Sequence, residues 1–457
     1  METVTSSEND RSAEIDRCLS MIVPSASDEM KFVGMLILPK LLEHNKPQDI
    51  ERVFKGMNFK FIERLLRTTQ NVDAEVPDPV LKDIAVNVLS CFARFESLAT
   101  EQPMVDRIPA LSRLLTPNDE TDITLESMQI LLHVAVSKEG LVKMLDPDVL
   151  KNILQVLLHT SKDEERDMST QLINSVYTRS CQQLHSEERK IPSLSSALKY
   201  SLNTLVAILS TTLNNDQKIL KFEALDILST VLPDVPSEVM NQFKQDQEKK
   251  IEVWLDNLLG GLRQIMSSKL HDSQRDKAIL LIACSLRHFG NDWLFKSLQD
   301  TRSAKRRKEK ASSDNANDAA NKAYAAVNFP ALLIHLVAIE AKIMMDDIND
   351  RVIQEHNQEK TITNKQKQQR QEMMVPVYFE ILEAAMEYLA VNCESNGMDS
   401  EMLLKIRTTL SDMMDVVMEL LKSMQGTKDN LEDDMIAQAC IRIVSIWMAE
   451  EGFEMPE

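Results

Sequence analysis

Two cysteine–histidine pairs, Cys181 with His185 and Cys284 with His288, stand four residues apart, which puts both groups on one side of a helix. A thiolate and an imidazole so placed are zinc ligands by type, but a structural zinc site takes four of them. The pairs belong to different parts of the chain, and Cys284 sits inside the apolar run from Ala278 to Leu286. The reading adopted is a core thiol beside a helix-end histidine, with no metal centre. The second feature is the run Lys305-Arg306-Arg307-Lys308-Glu309-Lys310, the one strongly basic cluster in the chain. It could serve nuclear import or contact an anionic lipid surface; the competing and preferred reading is a solvated loop. Phosphate on the flanking Ser303, Ser312 or Ser313 would add negative charge beside it. Ile353-Gln354 opens like a calmodulin-binding helix but lacks the downstream arginines, and Gly260-Gly261 lacks the lysine of a phosphate-binding loop. Mid-helix, that glycine pair costs about 1 kcal/mol per residue relative to alanine, so it predicts a close helix contact or a bend. No arrangement favours catalysis, and no catalytic residue, cofactor or metal is expected.

The totals narrow the classes. With 52 basic and 71 acidic residues the net charge is −19, which repels nucleic-acid backbones, so nucleic acid is not an expected partner. Basic protein segments are. Six cysteines are scattered without paired spacing, which predicts reduced core thiols in a cytoplasmic protein. The opening METVTSSENDRSAE is polar and acidic, unlike a signal peptide, and no apolar run approaches the roughly twenty residues that span a bilayer. Membrane contact is therefore expected to be at most peripheral, or through partners.

The elements that would position any site are helical throughout. Only nine glycines and fifteen prolines interrupt 457 residues, and strand signals are almost absent. From Ile251 to Met266 the apolar residues recur at three- and four-residue steps, giving a helix with one buried face. After a break at His271-Asp272, with Ser273 as a helix start, the stretch Ala278–Leu286 is apolar around most of its circumference, and Gly290 ends it. One half-exposed helix, a tight turn and one enclosed helix make the unit of a helical stack. Similar pairs recur about every forty residues, as in armadillo or HEAT repeats. Asp78-Pro79 and Asp146-Pro147 read as helix openings, and Pro39 as a kink or split. The predicted organisation is a disordered start at 1–12, an array over 13–299, a disordered basic and polar insertion at 300–325, a second array over 326–451, and a tail at 452–457. Within the second array, 349–372 reads as a projecting polar helix or a loop.

Several segments resemble the neurochondrin family. They are GMNFKFIERLL (Gly56 to Leu66), Pro79 to Leu115 with its Cys91-Phe92 and Ile108-Pro109 pairs, SKLHDSQRDKAILLIACSLRHFGNDW (Ser268 to Trp293), Phe329 to Asp347, and Arg442 to Glu451. On these the chain is identified as a divergent or invertebrate-like member. The resemblance implies an all-α, armadillo-like helical-repeat superhelix, an α-solenoid without catalysis, continuing beyond Glu457. It also implies a cytoplasmic scaffold in neurites and dendrites, linked to neurite outgrowth, synaptic plasticity and calmodulin-dependent-kinase signalling. The partners it implies are intracellular tails of G-protein-coupled receptors, whose basic character suits an acidic chain. The family's vertebrate members begin with adjacent cysteines suited to lipidation; here none precedes Cys18. The alternative expectation is a helical-repeat adaptor in nuclear transport or chaperone-like assembly, with Lys305–Lys310 setting the compartment.

Overall fold

In the computed structural model the described residues are 13–42, 47–69, 76–186, 192–246, 248–310, 314–356, 365–392, 397–427 and 434–450, and among them every regular element is a helix. The expectations for 1–12 and 452–457 fall outside these residues. The chain divides into two compact units, Met1–Leu209 with Asp234–Ile251, and Ser210–Pro233 with Glu252–Glu457.

The first half of the chain runs through α1 (13–22), α2 (Asp28–Leu42), α3 (Pro47–Gly56), α4 (Phe59–Leu66) and α5 (Asp78–Ala93). Three short helices follow, α6 (Glu96–Ala99), α7 (Gln102–Val105) and α8 (Ile108–Ser112). Then come α9 (Ile123–Val134), α10 (Lys138–Met144), α11 (Pro147–His159), α12 (Asp163–Ser186) and α13 (Pro192–Asn215). In the first unit two rows form: α2, α5, α9 and α12 pack in succession, and α4, α8 and α11 pack in succession behind them. Helix pairs α4–α5, α8–α9 and α11–α12 join the rows, so each hairpin buries the apolar stripe of the one before. Phe54, Phe59 and Phe92 meet edge-on at the first junction, with centroids 5.0 and 5.2 Å apart in the two closest pairs. Polar bonds keep the same register: Arg107 Nη2 donates to the Phe59 carbonyl across 48 positions, and Arg179 Nη1 to that of Leu132 across 47. The expected repeat of about forty residues is thus the spacing at which hydrogen bonds close.

The remaining helices are α14 (Ile219–Val231), α15 (Ser237–Asp246), α16 (Glu248–Met266), α17 (Asp272–Phe289), α18 (Asp292–Phe295), α19 (Thr301–Lys310), α20 (Asp314–Val327), α21 (Phe329–His356), α22 (Lys365–Asn392), α23 (Ser400–Thr427) and α24 (Met435–Glu450). In the second unit α14, α17, α22 and α24 form a row, while α21 packs along α23. Early bonds there keep the repeat, as from Gln264 to the Asn214 carbonyl across 50 positions. Beyond α17 the separation nearly doubles: Arg287 reaches Glu380 across 93 and Arg370 reaches Asp276 across 94. Helices α18 to α21 intervene in the chain, so α22 takes the place on α17 that the next hairpin would hold. Gly260 and Gly261 mark a close contact, as their position predicts: a Cβ on Gly261 would lie 2.8 Å from the Leu213 carbonyl oxygen.

Two expectations change. The described residues of 300–325 are not a disordered insertion: they form α19 and most of α20, with Thr301 and Ala304 buried, and 311–313 lie outside the described residues. The described part has almost no apolar stripe because polar contacts to the start of α23 anchor it instead. Nor do the described parts of 349–372, residues 349–356 and 365–372, stand apart as a projecting element. They finish α21 and begin α22, where Gln371 is buried and accepts from Arg351 at 3.0 Å, and Lys367 pairs with Asp347 at 2.7 Å.

Candidate docking surfaces

The basic run lies on α19, and its residues have separate fates. Lys305 Nζ donates to Asp399 at 3.0 and 3.2 Å and to Glu401 at 2.9 Å. Glu401 is also held by Lys405 at 2.8 Å, and the two lysines, Lys405 foremost, bring its carboxyl down to about 2. The hydrogen bonds it donates to Glu401 and Asp399 raise the Lys305 ammonium in turn. Asp399 does more than pair. Its carboxylate accepts from Met402 N at 3.3 Å, capping α23, and its own N–H donates to the buried Thr301 hydroxyl at 3.0 Å. Arg302 N donates to the Gly397 carbonyl at 3.1 Å. Lys308 lies over the Tyr324 ring at 4.8 Å, Arg306 and Arg307 are exposed, and the side chain of Lys310, with Ser312 and Ser313, lies outside the described residues. Sequence alone makes one basic cluster of what the fold divides between a structural lysine and an exposed remainder. Lys305→Ala should therefore speed amide exchange at 399–402, while the pair Arg306→Ala and Arg307→Ala should leave it within about twofold of the parent. Equal exchange in all variants would remove the anchoring role.

The cysteine–histidine pairs fall in different units, Cys181 and His185 in the first and Cys284 and His288 in the second. Cys181 is buried, its thiol pushed up to about 12 by burial and then by Asp234, and the His185 ring lies 3.0 Å from the Asp234 carbonyl oxygen. Burial pushes Cys18 up to about 11 and Cys440 to about 12, so these thiols are poor nucleophiles. No group of three or more metal-ligating side chains occurs among the described residues.

A different surface gathers unneutralised charge. On α5, Asp83, Asn87, Ser90 and Arg94 follow at steps of four, three and four and share one face. On the neighbouring α9, Asp122 at the cap position and Glu126 one turn on share a face by the same geometry. Between the helices, with Pro39 and Lys40 of α2, lies an open cleft of about 310 Å³ lined by Asn87, Ser90, Arg94 and Glu126. Burial raises the Glu126 carboxyl, Asp83 and Asp122 raise it further, and Arg94 only partly opposes them. Burial also raises Asp83, against a hydrogen bond from Asn87, and Asp122 adds to it. Glu126 Oε2 is buried and meets no hydrogen-bond donor among the described residues. A carboxylate whose ionisation two others oppose, and which keeps an orphaned oxygen, favours a positively charged donor beside it. Sequence reading misses this because the residues sit on different helices, each looking like an ordinary solvated face.

A family profile described as Neurochondrin matches residues 9–457. The chain is similar to the neurochondrin homolog of Drosophila melanogaster, 22% identical over 453 residues, which are 96% of this chain and 54% of that protein. It is 23% identical to neurochondrin of Homo sapiens over 452 residues, 96% of this chain and 51% of that one. The chain thus spans about half the length of the curated relatives it matches. Among solved structures, computationally designed armadillo repeat proteins for modular peptide recognition align at a TM-score of 0.36 and 13% identity, covering 59% of this chain and 99% of theirs. With a profile matching nearly its full length, the chain belongs to the neurochondrin family.

Proposed function

We propose that this chain is a non-enzymatic interaction scaffold that docks basic segments of partner proteins against the face of α5 and α9. The observation that carries this reading is the carboxylate trio in which Asp83 and Asp122 raise Glu126, whose buried Oε2 meets no donor among the described residues and which lines the open cleft. Proteins keep such strain where a ligand relieves it. A lysine or arginine entering the cleft would offset the charge of Glu126 and give its Oε2 the missing donor. The net charge of −19 would steer such partners from a distance, in a salt-dependent way. Cytoplasmic tails of G-protein-coupled receptors have this chemistry. Cytoplasmic residence in neurites, and roles in neurite outgrowth and calmodulin-dependent-kinase signalling, belong to the same proposal through family membership.

The test joins binding to stability. Asp83→Asn with Glu126→Gln should weaken an arginine-rich receptor-tail peptide by about tenfold or more at low salt, on the order of 1.4 kcal/mol. The same changes should raise Tm at neutral pH. A carboxyl raised in the folded state binds more protons folded than unfolded, so its ionisation costs stability as pH rises through the folded value, and the cost vanishes below the unfolded value. The gain in Tm should accordingly shrink as pH falls through the carboxylate range. Unchanged affinity would end the docking proposal. A lower Tm at neutral pH would show that the carboxylates are structural.

A further inference from the structure

Along α21 four aliphatic residues, Leu332, Leu336, Ile339 and Ile343, follow at steps of four, three and four. At about 100° per residue they fall within roughly 60° of arc and extend about 16 Å. The opposite side is fully spent: Leu333, Ile334, Val337, Ala338, Ala341 and Met344 are buried. The stripe is not. Leu332 is 41%, Ile339 52% and Ile343 54% exposed, and Leu336 is half-buried. Polar contacts bound it, His335 Nδ1 with Thr409 at 2.8 Å towards α23, and Glu340 with Arg275 at 2.9 Å towards α17. Scattered exposed aliphatics are ordinary; a line of them on one helix marks a surface for another protein. One and two turns on, the same face changes character, carrying Asp346 and Asp350, both exposed and without an ion-pair partner among the described residues.

We propose that this face of α21 docks a partner's amphipathic helix, whose apolar stripe covers Leu332 to Ile343 and whose lysine or arginine end lies against Asp346 and Asp350. Apolar residues spaced three and four apart on such a helix match the spacing of the stripe. The charge at one end fixes its direction, because the reversed helix would leave both aspartates against apolar residues. A second copy of this chain fits less well, since each copy brings a net charge of −19. This surface is separate from the α5–α9 cleft and stands without it.

The experiment uses the 457-residue chain carrying Asp83→Asn and Glu126→Gln, so that the other acidic surface cannot contribute. The probe is an 18-residue leucine–lysine peptide with an apolar helical face and lysines at one end, followed by fluorescence anisotropy. Saturable binding is expected, weakened at least tenfold by Ile339→Gln with Ile343→Gln, and several-fold by Asp346→Asn with Asp350→Asn. Circular dichroism and Tm should stay at parent values, because the side chains changed are exposed. Should the glutamine pair disturb folding, Leu332→Gln alone supplies the same reading. Equal binding by a scrambled peptide of identical composition, or affinity untouched by the substitutions, would overturn the proposal. A concentration-dependent dimer dissolved by Ile343→Gln would overturn it too, by assigning the stripe to self-association.

Discussion

Gly261→Ala is expected to lower the stability of the second unit by about 1–3 kcal/mol, although the same exchange inside an ordinary helix is worth roughly 1 kcal/mol in the opposite direction. The sign is set by what lies opposite. A Cβ there would stand 2.6 Å from Leu213 Cγ, 2.8 Å from the Leu213 carbonyl oxygen and 2.9 Å from its carbonyl carbon. Two of these atoms are backbone, which cannot rotate away, so α16 itself must shift and carry its buried Leu258, Leu262 and Ile265 out of register. Gly260 is the gentler neighbour. Its added Cβ would meet the Asn214 side-chain oxygen at 2.5 Å, a group that can turn at the loss of its 3.2 Å bond to Asn257. Gly426 provides the control, with nothing within 4 Å of an added Cβ. Gly426→Ala should be neutral or stabilise by up to about 1 kcal/mol. Urea unfolding of the three variants decides the matter. Equal effects at 261 and 426 would mean that helix propensity, not contact, governs the pair.

What the sequence makes readable is whatever a single helix decides. The apolar periodicity of α16 and α17 states which face each buries, and Ala278 to Leu286 are enclosed apart from a half-buried Leu280. Gly290 ends α17 with φ of 79°, and Asp146 caps α11 by accepting from the N–H groups of Asp148 and Val149 at 2.9 and 3.4 Å. Local readings miss by one or two residues where two groups compete for one role. Pro77, not Asp78, takes the cap position of α5, leaving Asp78 to pair with Lys82 at 2.7 Å. His271 caps α17 in place of Ser273. Pro39 does not split α2 but stays inside it, in its last turn, at the loss of one helical hydrogen bond. The larger misses are non-local. Residues 301–310 look unstructured because their support, Gly397, Asp399 and Glu401, comes from a segment nearly a hundred positions later. The carboxylate trio is hidden for the same reason, since neither α5 nor α9 carries an unusual charge pattern by itself.

Arg370→Ala is the second large effect expected, a loss of about 1.5–3 kcal/mol, the range for hydrogen bonds to charged groups. Arg370 lies in the polar opening of α22, which has no reason in its own sequence to be fixed. Its guanidinium meets Asp276 of α17 as a fork, Nε donating at 2.6 Å and Nη2 at 2.9 Å, with Asp272 a further 3.7 Å contact. Asp276 is 7% exposed, so deleting the arginine strands a carboxylate away from water. Nearby, Glu340 keeps Arg275 at 2.9 Å, leaving one arginine to balance two acids. The full cost of an enclosed pair is not expected, because the Arg370 side chain is 31% exposed and solvent screens part of the interaction. Asp276→Asn combined with Arg370→Ala should recover part of the loss, since the stranded charge goes with its partner. Arg370→Lys should recover less than half, because a lysine keeps the charge without the fork. Hydrogen exchange should then show 365–372 opening ahead of the rest of α22. If that segment opens no sooner in Arg370→Ala than in the parent, apolar packing from Met374 onward holds it and the fork is incidental.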